Sequence, residues 1–145
     1  MRIIIGGAGR VGTELARALR AEEMDVVLVD SDSRAVKNAQ NLDVLVIHGD
    51  LTTREKLNEA GIGEAEIFVA ATNSDERNLL ACALAEHAHY QYAGPKAKPL
   101  LSISRVRNMN FLEEQKQGHL TNWAKVNHVV NPLDSAIKRL HTGLR

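Results

Sequence analysis

Near the start of the chain, the string Gly7-Ala8-Gly9-Arg10-Val11-Gly12 follows directly on the apolar run Arg2–Gly6. It opens a segment in which Val11, Leu15 and Leu19 recur at four-residue spacing. A strand, a glycine-rich turn and an amphipathic helix in that order leave few folds open. Gly7 permits the tight turn, Gly9 lets backbone come close to another group, and Gly12 lets the helix pack closely on the strand. The free N–H groups of such a helix start, together with its dipole, favour an anion, above all a diphosphate.

The rest of the chain repeats the alternation. Short Val/Ile/Leu runs at Asp25–Asp30, Val44–His48, Ile67–Ala71, Leu100–Ser104 and His128–Val130 are of the kind buried on both faces of a parallel sheet. Helix-length segments separate them at Ser33–Gln40, Thr53–Ala60, Ser74–His87 and Asn110–Gln117, and a last one covers Pro132–His141. The expected fold is α/β: a Rossmann-type, doubly wound sheet of about six parallel strands in the order 3-2-1-4-5-6, with helices on both faces. Residues 1–141 form one domain and 142–145 a hinge or tail at Gly143. Tyr90–Pro99 reads as a surface loop. The stripe Leu133, Ile137 and Leu140, extended by Leu144, predicts self-association or cover for the domain's own sheet.

An acid in the right place sharpens the ligand. Asp30 ends the second strand 18 residues after Gly12, near the ~20 at which a carboxylate accepts hydrogen bonds from an adenosine ribose. Ser31 lies beside it, and Asp32 adds charge that disfavours a 2′-phosphate, so NAD-like ligands are expected over NADP-like ones. Ligands of open α/β sheets bind at the carboxyl ends of strands. Asp50, Thr72, Asn73 and Arg105 follow strands three, four and five there. Asn73, with Glu76 three residues on, also has the pattern of a helix N-cap. The expected contacts are therefore Gly7, Ala8, Gly9, Arg10, Val11, Gly12, Asp30, Ser31, Asp50, Thr72, Asn73 and Arg105. NAD(H) and ATP or ADP all present an adenosine ribose and phosphates, and the residues do not choose between them.

Other classes fit less well. At 145 residues the chain has room for one core and no separate substrate domain. Its 18 basic and 18 acidic residues balance, without the basic stripe of a nucleic-acid binder. No apolar run approaches membrane-spanning length. The single cysteine, Cys82, sits in an apolar run and reads as a small buried hydrophobe, in keeping with a cytoplasmic setting. An NAD-dependent oxidoreductase is the alternative, but its catalytic groups are hard to find. Tyr92 and Lys96 have the spacing of a short-chain dehydrogenase pair, yet Gly94-Pro95 interrupts the helix they need. The pair His87-x-His89 lacks further metal ligands at usual spacing. A sensor without turnover is the expected role.

From Arg2 to about Leu140 the chain resembles the N-terminal domain of Trk/Ktr-type potassium-uptake regulatory subunits, the RCK (KTN, TrkA-N) family. The resemblance is carried by Gly7–Gly12, Val29-Asp30, His48-Gly49-Asp50, the run Ala70–Glu76 with Asn78, Ser104-Arg105-Val106-Arg107-Asn108, and Val130-Asn131-Pro132. It implies a non-enzymatic cytoplasmic regulator that binds NAD(H), ATP or ADP, assembles through dimers into a ring, and gates a membrane-embedded potassium-translocating subunit at the inner face of the membrane. It also places Arg10 near nucleotide phosphates and a subunit interface. Two departures stand out. Gly6 replaces a usual β-branched residue, which predicts a looser turn, and the family's C-terminal ligand-binding domain does not follow.

Overall fold

Three consecutive isoleucines explain the layering. Along a strand, side chains alternate between faces, and Ile3, Ile4 and Ile5 are all fully buried, so their strand must be covered on both sides. The computed structural model, which describes residues 1–131, shows how. Strand β1 (Arg2–Gly6) pairs in parallel with β2 (Asp25–Asp30) on one side and β4 (Ala65–Ala70) on the other. With β3 (Leu45–His48), β5 (Leu101–Arg105) and β6 (His128–Val130) the sheet has six parallel strands in the order β3-β2-β1-β4-β5-β6, as the alternation predicts.

Ile3 and Ile5 face a core shared with Leu15, Ala16 and Leu19 of α1 (Arg10–Ala21) and Ala39 of α2 (Ser33–Ala39). Ile4 faces the other, with Val27, Val29, Phe68, Leu57 of α3 (Arg54–Glu59) and Leu79, Cys82 and Ala85 of α4 (Asp75–Ala93). Phe111 and Leu112 of α5 (Met109–Lys116) pack against this second core. Small residues at Ala81, Cys82, Ala85 and Ala88, all fully buried, let α4 lie close on the sheet. Burial pushes the Cys82 thiol well above its ordinary pKa, so it packs as a hydrophobe.

Helix α4 runs six residues past the predicted His87 and takes in Tyr90–Ala93, expected as loop. The reason is His89, buried at the helix's inner face, whose Nδ1 lies 2.8 Å from the Ile62 carbonyl and Nε2 2.9 Å from that of Lys98. Gly94 stops the helix with φ of 91°, a conformation that suits glycine. Two single turns escape a periodicity argument because they are too short to show one: a 3₁₀ turn at Ile62–Glu64 and a π turn at Leu120–Ala124. The expected final helix with Leu133, Ile137, Leu140 and Leu144, and the hinge at Gly143, lie outside the described residues. Among the described residues, no helix is long and apolar enough to cross a membrane.

Candidate functional site

The strand order reverses between β1 and β4, so the connections leaving their carboxyl ends diverge to opposite faces and leave a crevice. The glycine turn forms one wall. Gly7 takes φ of 111° and donates its N–H to the Val29 carbonyl at 2.8 Å. A Cβ on Gly7 would press on the Ala71 carbonyl carbon at 2.9 Å, and one on Gly12 would overlap the Gly7 carbonyl oxygen. Gly9 differs from both: a Cβ there meets nothing within 4 Å. Two of these glycines serve the fold, then, while the third faces open space. Gly6 has its own reason, since a Cβ would collide with the buried Leu51 side chain. The space that a β-branched side chain would take at Gly6 is filled by Leu51.

Helix α1 begins at Gly9 with no side-chain cap. The other four described α-helices each have one: Asp32 for α2, Thr53 for α3, Ser74 for α4 and Asn108 for α5. A helix start leaves several N–H groups without intrahelical partners, and those of α1 open on the crevice with the positive end of the dipole behind them. Ser74, whose Oγ accepts from the Arg77 amide at 3.2 Å, takes the capping place that sequence pattern gave to Asn73.

The crevice is a cleft of about 550 Å³ lined by Gly7, Gly9, Arg10 and Val11 on the glycine side, by Asp30, Ser31 and Asp32 at the end of β2, and by Thr72, Asn73 and Arg105 at the ends of β4 and β5. The predicted positions Ala8, Gly12 and Asp50 are not in this lining. Ala8 spends its N–H on Asp30 Oδ2 at 2.7 Å, Gly12 packs helix on strand, and Asp50 faces α4. Asp30 thus holds the turn together, its Oδ1 also accepting the Asp32 amide at 2.8 Å. A carboxylate oxygen accepts more than one hydrogen bond, and both remain free to take ribose hydroxyls.

Sequence reasoning passed over two lining arginines, Arg77 and Arg107. Arg77 donates to Asp50 Oδ1 at 2.6 Å. The Asp50 carboxyl is held below its usual pKa, first by the Thr52 hydroxyl and amide and then by Arg77. Arg107 had a signal: it follows Arg105 by two residues with the buried Val106 between, and both line the cleft. Arg105 contacts the Asn73 side-chain oxygen at 3.3 Å, and among the described residues the guanidinium groups of Arg105 and Arg107 have no carboxylate partner. Among the described residues Arg10 pairs only with Glu14, at 3.4 Å on the exposed helix surface, a pair worth little. Four arginines against Asp30 and Asp32 give the lining a formal excess of positive charge. An elongated ligand with a polyol at one end and phosphates at the other matches this distribution.

The sequence matches the model of the TrkA-N domain over residues 3–132. The chain belongs to the TrkA-N domain family. It is 38% identical over 133 residues to a Trk system potassium uptake protein TrkA homolog of Methanothermobacter thermautotrophicus, covering 91% of this chain and 55% of that one. The chain spans about half or less of the length of such curated relatives. Among solved structures, the TrkA-N domain of the inner membrane protein YbaL from Escherichia coli superposes with a TM-score of 0.72 at 19% identity, over 99% of this chain and 95% of that one. The GsuK channel bound to NAD gives 0.68 at 20% identity, over 90% of this chain and 21% of that one. At these identities the two structures establish the fold of this TrkA-N domain.

The other constellations weighed from sequence do not meet at the cleft. Tyr92 and Lys96 lie on either side of the helix stop at Gly94, and neither lines it. His87 contacts Arg54 at 3.1 Å while His89 points into the core, so the two rings serve different neighbours.

Proposed function

We propose that this TrkA-N domain is the nucleotide-sensing part of a potassium-transport regulator, and that its ligand is NAD(H) or, in the same cleft, ATP or ADP. The single observation that carries the reading is the contrast at the helix starts: α1 alone, among the described α-helices, lacks a side-chain cap, and it opens beside Gly9 on an arginine-lined cleft. The diphosphate lies over Gly9 and the α1 amides, the ribose hydroxyls bond to Asp30 and Ser31, and Thr72, Asn73 and Arg105 close the far side. The names of the curated relatives support the link to potassium uptake.

The domain acts by binding, without consuming its ligand. It works in the cytoplasm as a dimer or larger ring against a membrane-embedded potassium-translocating subunit. Nucleotides shift the geometry between paired domains only as far as their affinities for the two arrangements differ. Arg10, 90% exposed along its side chain, is placed to register phosphates at the border with a neighbouring domain. The test is potassium flux through the full-length protein reconstituted with its membrane subunit. Flux should differ between NADH and ATP, and Arg10→Ala should reduce the difference. Equal flux with either nucleotide, in a preparation shown to bind both, contradicts this reading.

A further inference from the structure

Arg105 is the last residue of β5, and Arg107 reaches the cleft from the short stretch between it and α5, which begins at Met109, where no regular element holds the chain. The first turn of α4 fixes it. Asp75, buried at 9% exposure, accepts the Arg107 amide with both carboxylate oxygens at 3.0 Å and the Asn108 amide at 2.7 Å. One turn on, the fully buried Asn78 accepts from the Thr72 amide at 3.0 Å and hydroxyl at 2.6 Å. Its Nδ2 donates to the carbonyls of Thr72 at 3.2 Å and Arg105 at 3.0 Å.

Resting on the nucleotide reading above, we propose that Asp75 and Asn78 are positioning residues that hold Thr72, Arg105 and Arg107 in register for the ligand's phosphates. Neither side chain lines the cleft. Capping of α4 does not explain Asp75, since Ser74 already provides the cap, and the backbone donors that its carboxylate takes lie 32 and 33 residues further along the chain. Electrostatics alone gives the opposite sign from positioning. Removing a carboxylate near an anion site strengthens anion binding through Coulomb's law, whereas releasing the arginine segment weakens it. Asparagine in place of Asp75 keeps the shape but turns one oxygen into an N–H₂ donor that faces backbone N–H groups.

The experiment is calorimetric titration of the full chain with ADP and, as a probe without phosphates, adenosine. Asp75→Asn should weaken ADP binding about tenfold, the lower edge of what a hydrogen bond to a charged group is worth, and leave adenosine within about twofold. Ser74→Ala removes the cap and lowers the melting temperature, yet it should keep the ADP-to-adenosine affinity ratio of the unsubstituted chain. Tighter ADP binding in Asp75→Asn, no change, or an equal loss for both ligands overturns the proposal. Failure of the folded, unsubstituted chain to bind either ADP or NADH overturns the nucleotide reading itself, and should it bind NADH alone, the same comparison is read with NADH in place of ADP. Should Asp75→Asn not fold, Asp75→Glu displaces the carboxylate by a methylene and gives the same comparison with the same deciding outcomes.

Discussion

The two walls of the cleft are built on opposite plans. The glycine wall is almost all backbone: Gly7 and Gly12 bring chain segments within contact, α1 starts uncapped, and one carboxylate, Asp30, ties turn to strand. The β4–β5 wall is held by side chains: α4 is capped, and Asp75 and Asn78 between them bind the backbone of Thr72 and of the stretch Arg105–Asn108. Backbone packed as closely as at Gly7 and Gly12 tolerates no added atoms, while the uncapped start of α1 leaves N–H groups for a ligand. Side-chain bracing leaves room, and it lets long arginines be aimed. Substitutions in the first wall should therefore act all or nothing according to which glycine is touched, while those in the second should be graded.

The sharpest form of this contrast is within one motif. Gly12→Val places carbon onto the Gly7 carbonyl and should destabilise the domain by more than about 4 kcal/mol, in the range reserved for severe core disruption. Urea denaturation reads this directly, and a stable, cooperative Gly12→Val variant would break the assignment of Gly12 to the fold. Gly9→Val should behave in the opposite way, since φ at Gly9 is −77° and the space beside it is open. Stability should stay within about 1 kcal/mol, the usual scale away from packed sites, while nucleotide affinity falls at least about a hundredfold as the branched side chain fills the approach to the diphosphate. An unfolded Gly9→Val, seen by circular dichroism, means that Gly9 also serves the fold.

Asp30 ties the turn to β2 and, on the proposed reading, also takes the ribose, and its substitutions should separate the two roles. Asp30→Asn should cost about 1.5–3 kcal/mol of NADH affinity, the worth of a hydrogen bond to a charged group. Asp30→Ala should in addition destabilise the fold by about 1–3 kcal/mol, because the buried Ala8 amide loses its acceptor. Unchanged affinity in a folded Asp30→Asn would remove the ribose contact from the account.

The smallest effect is expected at Asp50. Its carboxyl is held below its ordinary pKa in the folded chain, so it adds stability above that ordinary value, and the contribution disappears as pH falls through the lowered folded value. Its side chain is 40% exposed and pairs with an Arg77 side chain 44% exposed, which limits the gain to about 1 kcal/mol or less. Melting temperatures of Asp50→Asn and the unsubstituted chain should differ at neutral pH and converge as pH drops below about 4, near the unperturbed carboxylate value. A gap that widens in acid would reverse the sign argued here.

The two walls also differ in how far they can be read in the amino-acid sequence. Strand runs, glycine spacing and the acid at Asp30 are local patterns, and they lead directly to the sheet order and to the glycine wall. The β4–β5 wall depends on contacts between residues 27 to 33 positions apart, such as Asp50 with Arg77 and Asp75 with Arg107, which no periodicity reports. Thr72, Asn73 and Arg105 were legible because strand ends are where such folds bind ligands. Arg77 was not, because its place depends on where Asp50 lands. The length of α4 was hidden for a similar reason: the acceptors that hold His89 come from the Ile62 turn and from Lys98.

On the proposed reading one cleft takes the nucleotide, with phosphates on the glycine wall and ribose on Asp30. Calorimetric titration of NADH into the full chain, repeated in saturating ADP, tests it most directly. One NADH should bind per chain, ADP should compete it away, and NADH absorbance should not fall over the course of the titration. Simultaneous binding of both nucleotides, or no binding of either by a folded chain at millimolar concentration, would contradict it.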